Sequence, residues 1–247
     1  MDTNFDISDQ KELKNRIKRN FTIAIIPARG GSKTIPKKNI KIIDGKPLIA
    51  YSIDHAQKSS QIDDIYTTSD DDRILSIAND FGSKIIKRPK EISKDSSSSE
   101  DAITHALSTI IKETGYVPEI TIMLQPTSPI RDIKNIDNAI EKVKSGSFNS
   151  SISAYSSHFL LWYKDQKNMG KWVSNYGKDR PMRQDLEQYY EDGSIYVFNT
   201  LMFLLSGNRI IEPIHLEKID QINSYEIDTP TDWFILESLL KKQNENN

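Results

Sequence analysis

Residues 23–39 read IAIIPARGGSKTIPKKN. An apolar run ends at Pro27, and the chain then places Arg29, Lys33, Lys37 and Lys38 around the pair Gly30-Gly31, with Ser32 and Asn39 beside them. Arg29, Lys33 and Lys38 are spaced so that each can reach a different phosphate of a polyphosphate. Adjacent glycines permit positive φ, which lets backbone N–H groups line an anion-binding concavity. Phosphate is the anion this chemistry suits best. The stretch is neither GxxxxGK[ST] nor GxGxxG, so it is neither a Walker A loop nor a dinucleotide fingerprint. The plain alternative is a solvated loop with incidental lysines.

A site of this kind needs a rigid element behind it, and the pattern supplies one. Residues 22–26, 64–68, 84–87, 119–124 and 150–154 are short and β-rich. Helical periodicity fills 47–58, 71–81, 100–113 and 133–143 between them. This alternation predicts an α/β fold with a mostly parallel, doubly wound sheet, whose ligands bind outside the carboxyl ends of the strands. The loop after Ile26 lies at such an end. Ser69 or Asp70 is expected to cap the second helix, and Asp132 the fourth. Further strands are expected at 194–198 and 212–216, with a last helix at 231–241. Residues 155–190 carry Phe159, Trp162, Tyr163, Trp172 and Tyr176 without a steady period, as in an excursion that buries its aromatics against another chain. The resulting division is a polar N-terminal tail or frayed helix over 1–20, one domain over 21–242 with the protruding segment at about 155–190, and a tail over 243–247.

Composition bounds the partners. The 247 residues carry a net charge of −2, so no global field recruits nucleic acid and an anion must be held by a local cluster. There is no cysteine, which excludes disulfides, thiolate metal sites and a cysteine nucleophile and fits a cytoplasmic location. Apolar runs are too short for a membrane helix and the first twenty residues lack a signal-peptide core, so no membrane association is expected. His55, His105, His158 and His215 show no ligand spacing.

Several segments together resemble the cytidylyltransferases that activate sialic acid and related nonulosonic acids. They are PARGGSKTIPKKN, Arg88-Pro89 followed by Ser96 to Ser99, LQPTSPIR at 124–131, RPMRQDL at 180–186, DGSIYVFN at 192–199 and EIDTPTDW at 226–233. The resemblance runs in order from Ile23 to about Leu240. It implies a Rossmann-like nucleotidyltransferase fold and a homodimer in which a protruding segment completes the neighbour's site. It also implies roles. Arg29, Ser32, Lys33, Lys38 and Asn39 match positions that bind triphosphate and nucleotide, and Arg88 and Ser99 match nucleotide contacts. Gln125 matches a sugar contact, Arg183 a cation donated by the second subunit, and Tyr196 a wall of the sugar pocket. Helix capping by the serines, a surface ion pair for Arg183 and a core position for Tyr196 are the structural alternatives.

The implied reaction joins CTP and a nine-carbon 2-keto acid to give the CMP-sugar and pyrophosphate. It needs Mg²⁺, for which Asp228 is the first candidate ligand and Glu226, on the same face of an extended segment, the second. Asp70 to Asp72 read as helix caps rather than a metal motif. Departures from the family pattern are Thr34 in place of a glycine, Glu226 in place of an aspartate, and the stretch Tyr190 to Asp192, with Glu191 between them, where a basic residue and an asparagine are common. They leave the acceptor sugar open. Another nucleoside triphosphate, a sugar 1-phosphate acceptor, or a nucleotide-binding regulator without turnover are the alternatives.

Overall fold

The computed structural model describes residues 9–173, 182 and 187–245. Its central sheet has seven strands in the order β11-β7-β10-β6-β1-β4-β5. They are β1 (Ile17–Pro27), β4 (Asp64–Ser69), β5 (Lys84–Lys87), β6 (Val117–Leu124), β7 (Ser150–Ser157), β10 (Gln188–Asn199) and β11 (Ile214–Lys218). β1 pairs in parallel with β4 and β6, β4 with β5, and β7 with β11; among the described residues β10 alone runs against its neighbours. This is the Rossmann-like α/β architecture expected. The helices that cross between strands are α2 (Leu48–Lys58), α3 (Asp72–Asp80), α4 (Ser99–Thr114) and α5 (Ile133–Lys144).

Period-two alternation along the central strands builds both cores. Ala24 and Ile26 of β1 and Ile122 and Leu124 of β6 face α2, α3 and α5, whereas Ile23, Ile25 and Met123 face α4. α6 (Thr200–Ser206) joins the second core through Phe203. α7 (Pro230–Glu245) packs Trp233, Leu236 and Leu240 against Ile35, Ile43 and Leu48, which brings the 226–229 turn to the loop after β1. A small hairpin, β2 (Ile42–Ile43) with β3 (Lys46–Pro47), supports the same corner.

The ends of the chain differ from expectation. Residues 10–20 are not a tail: α1 (Gln10–Asn15) is capped by the Asp9 carboxylate, Leu13 is fully buried, and β1 begins at Ile17. One buried leucine among polar neighbours is enough to fix a helix that a periodicity search does not see. α7 continues to Glu245, past the expected boundary of the second tail. Asp132 caps α5 as expected, but α3 is capped by Asp71, while the Ser69 hydroxyl accepts from the Asp71 N–H.

Within the excursion, β7 and β10 run on together as a ribbon, pairing Tyr155 with Tyr190 and Ser157 with Gln188. Beyond it β8 (Trp162–Lys164) and β9 (Gly170–Trp172) form a separate hairpin whose Trp162 and Trp172 rings stack at 3.8 Å. Phe159, Trp162, Tyr163 and Val173 are more than half exposed. Arg183 lies outside the described residues.

Candidate active site

The chain passes from β1 outward to β4 and β5, then crosses back to β6 on the other side. The crevice at that switch point is where an open α/β sheet binds ligands. A cleft of about 430 Å³ lies there, lined by the loop after β1, the loop between β5 and α4, the turn after β6, and Asp228. Arg29, Ser32, Lys33, Lys38, Asn39, Arg88, Ser99, Gln125 and Asp228 all line it.

The glycine-rich loop works differently from the expectation of positive φ. Neither Gly30 nor Gly31 has it; the left-handed residue is Lys37, at φ 55°. Gly30 is required by close approach, since a Cβ there would lie 2.8 Å from Asp71 Cβ. Its N–H donates to Asp70 Oδ1 at 2.9 Å, so that donor is already committed. Thr34 needs no unusual backbone and accommodates its branched side chain. Asn39 is buried and donates to the Arg29 carbonyl at 2.9 Å, which ties the loop's start to its end.

The cations fall into distinct environments. Arg29 and Lys33 converge on a residue the sequence did not single out, Asp95, whose two carboxylate oxygens lie 2.6 Å from Arg29 Nη1 and 2.6 Å from Lys33 Nζ. Hydrogen bonding to Lys33, with Arg29 nearby, holds the Asp95 carboxyl below its usual range. Lys38 reaches across the chain instead, donating to the Ile227 carbonyl at 2.6 Å and to Asp228 Oδ1 at 3.3 Å. Arg88 is buried, and its Nε has no acceptor among the described residues. Burial, and then the nearby Arg29 charge, lowers its pKa against the pull of Asp70. A buried guanidinium with an unused donor at a cleft wall is suited to an anion.

Two expected roles separate here. Ser98, not Ser99, caps α4 in a capping box with Asp101, which leaves the Ser99 side chain at the cleft. Tyr196 does not wall the cleft: it is 3% exposed within the second core, its hydroxyl donates to Glu191 and the Arg209 guanidinium lies over its ring. Parity along β10 explains this correction, because Tyr196 and Phe198 share the face that packs on α4 and α6.

Glu226 and Asp228 flank the buried Ile227. Although Glu226 is exposed overall, its pKa is raised to about 7 by partial desolvation of the carboxylate, then by repulsion from Asp228 and Asp192. Carboxylates that repel one another next to a cluster for anions fit one hard divalent cation, which is commonly held by one or two carboxylates with phosphates and water completing its shell. No group of three or more possible protein ligands occurs among the described residues, so phosphates would have to supply part of that shell.

A doubly wound sheet whose switch-point crevice carries a cation-rich loop, a buried arginine and the Asp228 carboxylate defines a nucleotide-binding α/β protein. Its membership is narrower: residues 23–246 match the family model described as Cytidylyltransferase, and the chain belongs to that family. It is 32% identical over 248 residues to an N-acylneuraminate cytidylyltransferase of Oncorhynchus mykiss, covering 95% of this chain and 55% of that protein. It is 31% identical to the CMP-N,N'-diacetyllegionaminic acid synthase of Legionella pneumophila, covering 90% of this chain and 97% of that one. A pseudaminic acid cytidylyltransferase of Campylobacter jejuni is 33% identical over 77% of this chain and 83% of its own. The chain thus spans about half the length of its fish relatives and nearly all of the Legionella one. Among solved structures, a CMP:2-keto-3-deoxy-manno-octonic acid synthetase complexed with CTP aligns at TM-score 0.67 and 16% identity, over 90% of this chain and 99% of that one. A 4-diphosphocytidyl-2C-methyl-D-erythritol synthase from Anaerococcus prevotii aligns at 0.64 and 14%, over 94% and 99%. These likenesses show the fold.

Proposed function

We propose that this chain transfers CMP from CTP to the anomeric hydroxyl of a nonulosonic acid and releases pyrophosphate. The observation that carries the reading is the convergence, in one switch-point cleft, of Arg29, Lys33 and Arg88 with Gln125 and Asp228. The related enzymes named for sialic, legionaminic and pseudaminic acids support the acceptor class. In the reaction the sugar hydroxyl oxygen forms a bond to the α-phosphorus, the bond to the bridging oxygen of pyrophosphate breaks, and the hydroxyl proton leaves to solvent. No protein nucleophile is needed, so the residues act by holding both substrates in line and by meeting the charge that develops on pyrophosphate.

Arg29 and Lys33 receive the triphosphate, Arg88 and Ser99 face the nucleoside end, and the Gln125 carboxamide offers both a donor and an acceptor to sugar hydroxyls. Asp228 and Glu226 would hold Mg²⁺, which when bound neutralises and orients the phosphates. Lys38 keeps the Asp228 turn against the loop. The exposed aromatics of the β8–β9 hairpin suit burial against a second copy, with Arg183 reaching the neighbour's substrate. A cytoplasmic location belongs to the same reading. No described helix is long and apolar enough to cross a membrane.

The test is a pyrophosphate-release screen crossing four nucleoside triphosphates with nonulosonic acids and hexose 1-phosphates. Release is expected with CTP and a nonulosonic acid when Mg²⁺ is present. Faster release with another nucleotide or with a sugar 1-phosphate would overturn the substrate assignment, and no release with any pair would favour a binding protein without turnover.

A further inference from the structure

Arg131 stands just past the turn that follows β6 and is buried, at 8% exposure. Its guanidinium spends its donors on neutral groups: Nε donates to Ser194 Oγ at 2.8 Å, Nη1 to Ser52 Oγ at 3.0 Å, and Nη2 to the Gln125 carbonyl and to the Ser194 carbonyl at 3.3 Å. Nη1 also approaches His55 Nδ1 at 3.5 Å, and burial, together with the Arg131 charge, keeps that imidazole neutral. Burial lowers the Arg131 pKa to about 9, against the pull of Asp192. An apolar side chain of similar volume would fill such a place at less cost, so the charge and the fork need another reason.

That reason lies in where the bonds converge. The Gln125 carbonyl accepts from both Arg131 and Ser52, the latter at 3.2 Å, while the Gln125 N–H donates to the Ser194 carbonyl at 3.2 Å. Both peptide groups of Gln125 are therefore held, and the strand opposite is gripped at Ser194. Gly193, between Asp192 and Ser194, has φ +76°, and a Cβ there would lie 3.6 Å from Gln125 Nε2 and 3.3 Å from Glu226 Oε2. The Gln125 carboxamide and the Glu226 carboxylate thus meet over one glycine whose flanking residue Arg131 holds.

We propose that Arg131 is a positioning residue of the acceptor subsite, fixing the Gln125 carboxamide over Gly193 by clamping the Gln125 and Ser194 backbones, an inference that rests on the acceptor reading given above. Lysine cannot replace it, because one ammonium cannot reach four acceptors spread over a strand, a turn and a helix.

The experiment compares Arg131→Lys, Ser52→Ala and wild type in steady-state pyrophosphate release, varying the sugar and CTP separately. A misplacement on the order of 1 Å at a substrate-orienting group costs roughly a hundredfold in kcat/KM. Arg131→Lys should lose roughly that much for the sugar, and Ser52→Ala a smaller part of it, while KM for CTP stays within about twofold because the nucleotide cations are untouched. A second readout needs no acceptor: the side-chain amide resonances of Gln125, assigned by their loss in Gln125→Glu, should shift or broaden in both variants. Should Arg131→Lys fail to fold, Ser52→Ala carries both readouts. Equal rises in both KM values, or lowered melting with sugar kinetics and the Gln125 resonances unmoved, would overturn the proposal. If wild type turns over no nonulosonic acid, the acceptor reading fails by itself, and the Gln125 resonances alone then decide: moved, the clamp stands; unmoved, it falls.

Discussion

Lys33 and Lys38 read alike in the sequence, yet the structure gives them opposite energetic characters, and replacing each by alanine separates them. Lys38 is 12% exposed in its side chain and donates to a carbonyl at 2.6 Å and to Asp228 at 3.3 Å. A hydrogen bond from a charged donor contributes about 1.5–3 kcal/mol, and its loss leaves the Ile227 carbonyl without that donor. Taking about 2 kcal/mol, and about 2–4 °C per kcal/mol for a chain of this size, Lys38→Ala should lower Tm by about 4–8 °C. Lys33 is 78% exposed and pairs only with Asp95 among the described residues. A surface pair of that kind contributes about 0–1 kcal/mol, so Lys33→Ala should move Tm by no more than about 4 °C while reducing turnover roughly a hundredfold through lost stabilisation of the leaving pyrophosphate. The assay is a thermal melt followed by circular dichroism beside pyrophosphate-release kinetics on the same preparations. A Lys33→Ala protein that melts as low as Lys38→Ala, or a Lys38→Ala protein that melts with wild type, would refute the reasoning.

Other perturbations test other parts of the cleft. Asp95→Asn removes the anion already held between Arg29 and Lys33, so it should tighten CTP and pyrophosphate severalfold by isothermal titration and leave CMP affinity unchanged. Gly30→Ala forces a Cβ against Asp71 Cβ and should cost about 1–3 kcal/mol in denaturant unfolding, with weaker CTP binding. Glu226, with its pKa raised from 4.5 to about 7, favours the folded state fully below pH 4.5 and loses that contribution as pH rises through about 7. With a chelator present, Glu226→Gln should therefore gain stability relative to wild type between pH 5 and 8. The gain should be about 1 kcal/mol, because solvent reaches the group and screens the shift; a constant difference across that range would contradict the assignment. Asp228→Asn should raise the Mg²⁺ concentration needed for half-maximal turnover, whereas Asp71→Asn, at a helix cap, should mainly lower the melting temperature.

What the sequence disclosed was what short-range physics writes plainly. The short β-rich runs over residues 22–26 and 119–124, alternating with helical segments, announced strands of a mostly parallel sheet, and the cation spacing after Pro27 announced an anion-binding loop at their ends. The hidden parts depend on partners far away in sequence. Asp95 looks like one more polar residue in a serine-rich loop until Arg29 and Lys33 fold onto it from 62 to 66 positions away. Arg131 reads as an ordinary charge before a helix, since nothing local shows that Ser52 and Ser194 will surround it. The glycine pair was legible as a special backbone, but at Gly30 the cause was steric approach by Asp71 rather than handedness, and a Cβ on Gly31 would meet nothing. Tyr196 could have been placed by parity alone, because its partner on the same face is Phe198.

β10 is a single strand with two different neighbourhoods. From Ile195 to Asn199 it is locked between β6 and β7 in the sheet, while from Gln188 to Glu191 it pairs with β7 as the ribbon leading toward the exposed hairpin. The register breaks between Glu191 and Tyr196, and Gly193 sits in that break beside Gln125 and Glu226. The bulge is thus the fulcrum of a covalent lever whose long arm is the ribbon and whose anchored end is the sheet. A displacement of the arm reaches Gly193 and the Gln125 carboxamide after two peptide units, past Glu191, which accepts from the Tyr196 hydroxyl, and Asp192, which accepts from Ser153.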